Sequence, residues 1–229
     1  ADGHPRYAIG AGASFDYETL SELDETVRDQ ISESLPNDIL AKAITELETD
    51  DAAYVIESLE ESDKQDVLSQ ISSSDRVALE RNLDYPEQTA GRLMQGDFVA
   101  VPPFWTVGHV IDHMRESTDL PDSFSDIFVV DPTHRVVGSI ELSRLLRTKR
   151  HVTVDTLVDT DRHVVLATED QEEVARQFER YDLRSAPVVD ENKRLVGVLT
   201  VDDIVDVMQE EVEEDILHIG GVGGEETIS

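Results

Sequence analysis

Ile127-Phe-Val-Val-Asp-Pro-Thr-His-Arg-Val-Val-Gly-Ser-Ile140 and Ala186-Pro-Val-Val-Asp-Glu-Asn-Lys-Arg-Leu-Val-Gly-Val-Leu199 are one pattern written twice, 59 residues apart (186 − 127). Without a gap, Val129, Val130, Asp131, Arg135, Val137 and Gly138 recur as Val188, Val189, Asp190, Arg194, Val196 and Gly197. One supersecondary unit is therefore used twice. Two apolar runs flank Asp190-Glu-Asn-Lys193, which is the chemistry of a hairpin turn. Outward from that hairpin, the second copy reads as a strand over 164–167, an amphipathic helix over 171–180, strands over 186–189 and 194–200, and a helix from Val201 onward. The first copy repeats the order with strand 98–101, helix 107–115, strands 126–131 and 135–141, and helix 142–146.

Upstream the period changes. Leu23, Leu35, Leu47, Leu59, Ile71 and Leu83 recur every 12 residues, with a second apolar column at Ile31, Ala43, Val55, Val67 and Leu79. Twelve residues hold about two turns of helix and a connection, so residues 15–93 read as short helices stacked into a small superhelix. Thr49-Asp50, Ser62-Asp63 and Ser74-Asp75 stand where N-caps are needed, and Asp50 has that role available. Residues 1–14, rich in Gly and Ala without a periodic face, read as a flexible lead-in. The fold class is α+β: an all-helical domain, a first unit over 94–150, a second over 151–207, an acidic helix over 201–219 that overlaps it, and a flexible tail over 220–229.

The formal charge is −32 over 229 residues, with lysine only at 42, 64, 149 and 193. Such a surface repels nucleic acid phosphate and anionic lipid, so no nucleic acid partner is expected. The excess reads as a mixture of a solvated surface suited to high salt and clusters that collect divalent cations, and only the local clusters can carry a site. No cysteine excludes disulfides and thiolate sites. No apolar run reaches bilayer length and no signal peptide pattern opens the sequence, which predicts a soluble chain.

The densest cluster is Val201–Leu217, with eight carboxylates and no Lys or Arg. On a helix, Asp203 and Asp206 fall three apart and Glu211, Glu214 and Asp215 follow at spacings of three and four, so neighbours share a face. Like charges so placed weaken an isolated helix unless a cation neutralises them. Mg²⁺ is hard, takes oxygen ligands and keeps its waters, so it suits loosely spaced carboxylates.

The duplicated unit resembles a tandem pair of CBS domains, through the apolar-Pro-Val-Val-Asp entry and Leu195-Val-Gly-Val-Leu-Thr-Val-Asp-Asp203. Five further segments widen the match: Leu47-Glu-Thr-Asp-Asp51, Tyr85-Pro-Glu-Gln-Thr-Ala-Gly-Arg-Leu-Met94, Asp170-Gln-Glu-Glu-Val-Ala-Arg176, Thr200-Val-Asp-Asp-Ile-Val-Asp206 and Glu211-Val-Glu-Glu-Asp-Ile216. Together they resemble the cytosolic part of MgtE-type magnesium transporters and channels, over residues 15 to 219. The resemblance implies an Mg²⁺ sensor at the cytoplasmic face of a membrane, a homodimer through its CBS domains, and a transmembrane pore domain as partner, reached through a connecting "plug" helix. It also implies ligands. Asp170, Glu172 and Asp182 would face the plug helix and share ions with Asp206, Glu211, Glu214 and Asp215; Asp203 would face the N domain, where Asp50 and Glu18 match family ligands.

A second function follows from the same pair. CBS domains bind adenine nucleotides such as ATP through a Thr/Ser-x-x-Asp turn, which Thr200-Val-Asp-Asp203 fits; the first copy has Glu141-Leu-Ser-Arg144 there, so at most one site forms. Thr200 serves equally as a plain helix cap. An enzyme is not expected. His109 and His113 have metal-pair spacing, yet Val107, Val110, Ile111 and Met114 define the buried face of that helix. Gly220-Gly-Val-Gly-Gly224 follows no strand, and Phe104 and Trp105 read as packing residues.

Overall fold

A computed structural model describes residues 25–118, 120, 121, 123–209 and 212. The chain divides into two compact units, residues 1–76 and 77–229.

In the first unit the helices are α1 (Glu25–Ser34), α2 (Asn37–Glu46), α3 (Thr49–Ser58) and α4 (Glu61–Gln70), followed by α5 (Ser73–Leu83). Each begins 12 residues after the last. The two apolar columns divide the work. Ala43, Val55 and Val67 lie within helices and are fully buried, whereas Leu47, Leu59 and Ile71 are the C-cap residues whose extended backbone ends one helix and starts the next. α1 packs on α3, and α2 on α3 and α4, so each helix buries its face against a near neighbour, as stacked repeats must. The expected caps are corrected. α3 and α4 are entered from Glu48 and Glu60, which make no side-chain cap bond, so Asp50 is the second residue of its helix rather than its cap. At α5 it is Ser72 that accepts the Asp75 N–H. The acids sit inside the first turns, where the helix dipole favours them without a capping bond.

The second unit contains a short α6 (Ala90–Leu93), then β1 (Ala100–Val101), α7 (Val107–Glu116), β2 (Asp126–Val130), β3 (Val136–Glu141) and α8 (Leu142–Leu146). The second copy follows as β4 (Val165–Leu166), α9 (Gln171–Tyr181), β5 (Ser185–Val189) and β6 (Leu195–Thr200), and residues 201–209 form a helix, α10. Each copy makes a three-stranded sheet with its first strand parallel and its hairpin antiparallel. The edge strands β1 and β4 are two residues long, shorter than the four-residue strands expected. Both hairpin turns use one device: Asp131 Oδ1 accepts the N–H of Thr133 and Arg135, and Asp190 Oδ1 that of Asn192 and Arg194. His134 and Lys193 then take positive φ.

The copies meet across a pseudo-two-fold axis. Val136 N–H donates to Lys193 O and Leu195 N–H to His134 O, and these four residues are equivalent pairs at the 59-residue offset. Phe128, Val130, Leu195 and Val198 share a small apolar core beside them, and Ser185 Oγ donates to Asp126 Oδ2 at 2.6 Å, again between equivalent positions. Arg162 neutralises this buried Asp126 at 2.6 Å.

The segments leading into the copies are exchanged. Gln95, ahead of the first copy, pairs with Val198 of β6; Asp159, ahead of the second, pairs with Ser139 of β3. Gly197 and Gly138 make room. A Cβ on Gly197 would meet Met94 Sδ at 2.6 Å and Gln95 O at 2.9 Å, and one on Gly138 would overlap the Asp159 carbonyl. The helix starts are strapped in the same exchanged way. Gln171 N–H donates to Gln88 O and Ala90 N–H to Glu169 O; Val107 N–H donates to Val152 O and Val154 N–H to Trp105 O. These are equivalents at an offset of 64 (171 − 107), because the first copy carries five more residues between its helix and its second strand. Trp105 packs as expected, but Phe104 is 72% exposed and is corrected to a surface residue.

Gly138→Ala is expected to lower stability by about 1–3 kcal/mol, because the added carbon meets backbone. Gly197→Ala is expected to cost less, since the nearest atom belongs to a flexible thioether. Urea unfolding of the two variants measures both.

Candidate functional site

The candidate carboxylates in the second unit sit at helix ends. Asp170 is the N-cap of α9: its Oδ1 accepts the N–H of Glu172 at 3.0 Å and of Glu173 at 3.3 Å. Gln88 O takes a further first-turn donor, Gln171 N–H, so three amides of the first turn are satisfied. Glu172 is exposed on the first turn, 3.5 Å from Arg176. Asp182 ends the same helix in the left-handed conformation, with φ 52°. Twelve residues of helical rise separate Asp170 from Asp182 by about 18 Å. That distance is too great for the two carboxylates to hold one ion between them.

Asp203 and Asp206 lie on α10, and the structure separates them. Asp203 Oδ2 accepts the Thr200 N–H at 2.6 Å and the Thr200 hydroxyl at 3.0 Å, while Oδ1 accepts Gln95 Nε2 at 2.8 Å. These bonds turn Asp203 into the fold, where it is 6% exposed, whereas Asp206 faces outward. The expected shared face therefore does not form between these two. Burial pushes the Asp203 carboxyl up to about 6, against the hydrogen bonds from Thr200 and Gln95 that favour its charged form, and Asp202 adds like-charge repulsion. Asp206 is raised too, by partial burial and then by Asp202. A cation would relieve both, and all-oxygen donors suit a hard divalent ion such as Mg²⁺.

Asp50 is buried in the first turn of α3. Glu18, Glu211, Glu214 and Asp215 lie outside the described residues. Thr200 stands ahead of α10 with its amide and hydroxyl both donating to Asp203 Oδ2, so the carboxylate three residues on reaches back to the helix entry. The cavity beside it, lined in part by Gln95, Phe98, Asp126 and Thr200, is about 30 Å³. A cavity of about 270 Å³, lined in part by Tyr85, Thr168 and Asp190, does not include Thr200. His109 and His113 flank Trp105, with ring centroids at 6.5 and 5.3 Å, and His109 is exposed.

Two side-chain partners were not read from the sequence. Gln95 lies 108 residues from Asp203, and no local pattern links them. Asp126 carried a signal, since it is a charge in a strand that is otherwise apolar, but its partner Arg162 comes from the segment between the copies.

The MgtE intracellular N domain matches residues 12–88 and the CBS domain matches 90–151 and 154–210. Magnesium transporter MgtE of Bacillus subtilis (strain 168) is 36% identical over 173 residues, covering 76% of this chain and 38% of that protein. Its namesake from Thermus thermophilus is 37% identical over 147 residues, covering 64% and 33%. The chain thus spans about a third of the length of either. Two solved structures are similar: the cytosolic domain of the Mg²⁺ channel MgtE in complex with ATP, at TM-score 0.77 and 33% identity over 83% of this chain and 78% of that one, and the soluble part of a magnesium transporter, at 0.73 and 26% over 85% and 86%.

The Asp203 shift has a defined sign. A carboxyl raised from 3.8 to about 6 on folding contributes stability that is fully present below pH 3.8 and is lost as pH rises through its folded value. In divalent-free buffer, the thermal midpoint of Asp203→Asn should therefore rise relative to the wild type as pH is raised from about 4 to about 6, and hold that gain above it. A difference that does not vary with pH would contradict the shift.

Proposed function

The chain belongs to the MgtE family, an intracellular N domain joined to tandem CBS domains, and from that membership we propose that it is the Mg²⁺-sensing cytosolic regulatory region of a magnesium transporter. It acts at the cytoplasmic face of the membrane, as a homodimer through its CBS domains, on a transmembrane pore domain. The observation that carries this is Asp203, a buried carboxylate on α10 whose bonded partners Thr200 and Gln95 are neutral and whose pKa is raised by burial, with the like-charged Asp206 exposed on the same helix.

The mechanism is electrostatic. Without divalent ions, the excess negative charge favours separation of acidic surfaces, and the regulatory region stays open and mobile. Mg²⁺ ions held by Asp170, Glu172, Asp182, Asp203 and Asp206, together with Glu211, Glu214 and Asp215 further along and Asp50 and Glu18 in the helical domain, draw these surfaces together. Association of the helical domain, the CBS pair and the connecting helix favours the closed pore. Each ion contributes only through its preference for the closed state, so several weak sites acting on one closure give a steep response.

A second reading is adenine-nucleotide binding, favoured by the ATP complex of a cytosolic MgtE domain that is 33% identical. In this chain Thr200 and Asp203 are bonded to one another, so a ribose would have to displace that pair. Titration with ATP, with and without Mg²⁺, separates the two functions.

Limited proteolysis in strong KCl, with and without millimolar-range Mg²⁺, tests the sensor. Mg²⁺ is expected to slow cleavage and reduce the hydrodynamic radius. An unchanged pattern and radius would rule the sensor out.

A further inference from the structure

The segment Gln88–Gln95 belongs to the motif Tyr85–Met94 and its immediate continuation, for which the function above gives no role. It touches both helix starts that carry candidate ligands. At α9, Gln88 O accepts the Gln171 N–H at 2.9 Å, Ala90 N–H donates to Glu169 O at 2.8 Å, and Gly91 N–H donates to Ala167 O at 2.8 Å. Asp170 lies in the middle of this clasp and opposite Thr89. At α10, seven residues after Gln88, Gln95 holds Val198 by two backbone bonds and Asp203 by its side-chain amide. The segment is itself locked. The Tyr85 ring packs against Gly91 so closely that a Cβ there would overlap it, and Gln88 takes φ 60°.

The molecule contains its own comparison. The equivalent strap of the first copy, Val152–Asp155, makes the same backbone bonds to Pro103, Trp105 and Val107. There it clasps Thr106, an uncharged N-cap, and the position equivalent to Asp203 is Arg144. The clasp is a shared feature of the fold; carboxylates held by it occur only at α9 and α10.

We propose that Gln88–Gln95 is the positioning element of the cation sensor, fixing the Asp170 and Asp203 carboxylates relative to each other before an ion arrives. Gln95 orients Asp203 through Oδ1, and the Gln88–Gly91 clasp orients Asp170 through the backbone of the α9 start. The proposal rests on these carboxylates binding Mg²⁺. Partners that orient a ligand commonly change metal affinity by about 10–100-fold when removed.

The test is hydrogen–deuterium exchange of the whole chain during an Mg²⁺ titration, read at the amides of 171–174 and 200–204. Gln95→Leu removes the amide donor and keeps the volume; it is expected to raise the Mg²⁺ midpoint at 200–204 by about tenfold. In an Asp203→Asn background the same change should have no further effect. Gly91→Ala should raise exchange at 171–174 and shift the midpoint there, and adding Tyr85→Ala should restore it. Gly108→Ala, which crowds the Arg150 carbonyl in the first copy at 3.1 Å, should leave both midpoints unchanged. If the wild type responds to Mg²⁺ and Gln95→Leu does not shift its midpoint, the positioning role is overturned while the sensor stands. If Gly108→Ala shifts the midpoints as much as Gln95→Leu, the effect is general destabilisation and the role is overturned. If the wild type shows no response, the sensor and the positioning role fall together.

Discussion

The exchange of entering segments between the two copies is the constraint on which the rest of the second unit depends. Gln95 closes the sheet of the second copy and Asp159 that of the first, so neither copy has a complete sheet without the chain that leads into the other. The hairpins then meet by equivalent bonds, Val136 to Lys193 and Leu195 to His134. Two glycines keep the entering segments close enough to pair. The outcome is one cooperative body from two incomplete repeats, and the segment that opens it also reaches the carboxylates of α9 and α10.

Charge is the second constraint. A chain of net charge −32 folds against its own repulsion, and it softens this locally by placing acids in the first turns of α3, α4 and α9, where helix dipoles receive them. Asp126 is neutralised by Arg162. Asp203 is different. Its hydrogen bonds come from neutral groups, Thr200 and Gln95, so burial is opposed but no charge is cancelled. A carboxylate kept this way is stabilised by protonation or by a cation, and at neutral pH the cation is the available partner.

The architecture was legible because its signals are periodic. The 59-residue repeat identified both hairpins and the order of elements, and the 12-residue spacing matches short helices in which Ala43, Val55, Val67 and Leu79 are buried and Leu47, Leu59 and Ile71 are C-caps. Helix entry was less legible. Thr49, Ser62 and Ser74 are good caps by residue type, but the two-residue connections leave Glu48, Glu60 and Ser72 at the entry positions. Contacts distant in sequence were not legible at all: Gln95 with Asp203 and Arg162 with Asp126 depend on the exchanged linkers. Helical spacing placed Asp203 and Asp206 on one face, and the Thr200 and Gln95 bonds, which spacing does not record, turned one of them inward. Phe104 shows the converse, an aromatic residue left at the surface by a turn whose backbone bonds matter more than its side chain.

The central claim is that specific carboxylates chelate Mg²⁺, as opposed to a diffuse anionic surface attracting it. Calorimetric titration of the chain with Mg²⁺ at about 1 M KCl, where the screening length falls to about 3 Å, separates these directly. Chelation predicts a small, fixed stoichiometry that persists at high salt and decreases when Asp203 and Asp206 are replaced by asparagine. Binding that fades smoothly with salt, at a stoichiometry unaffected by those replacements, would contradict it.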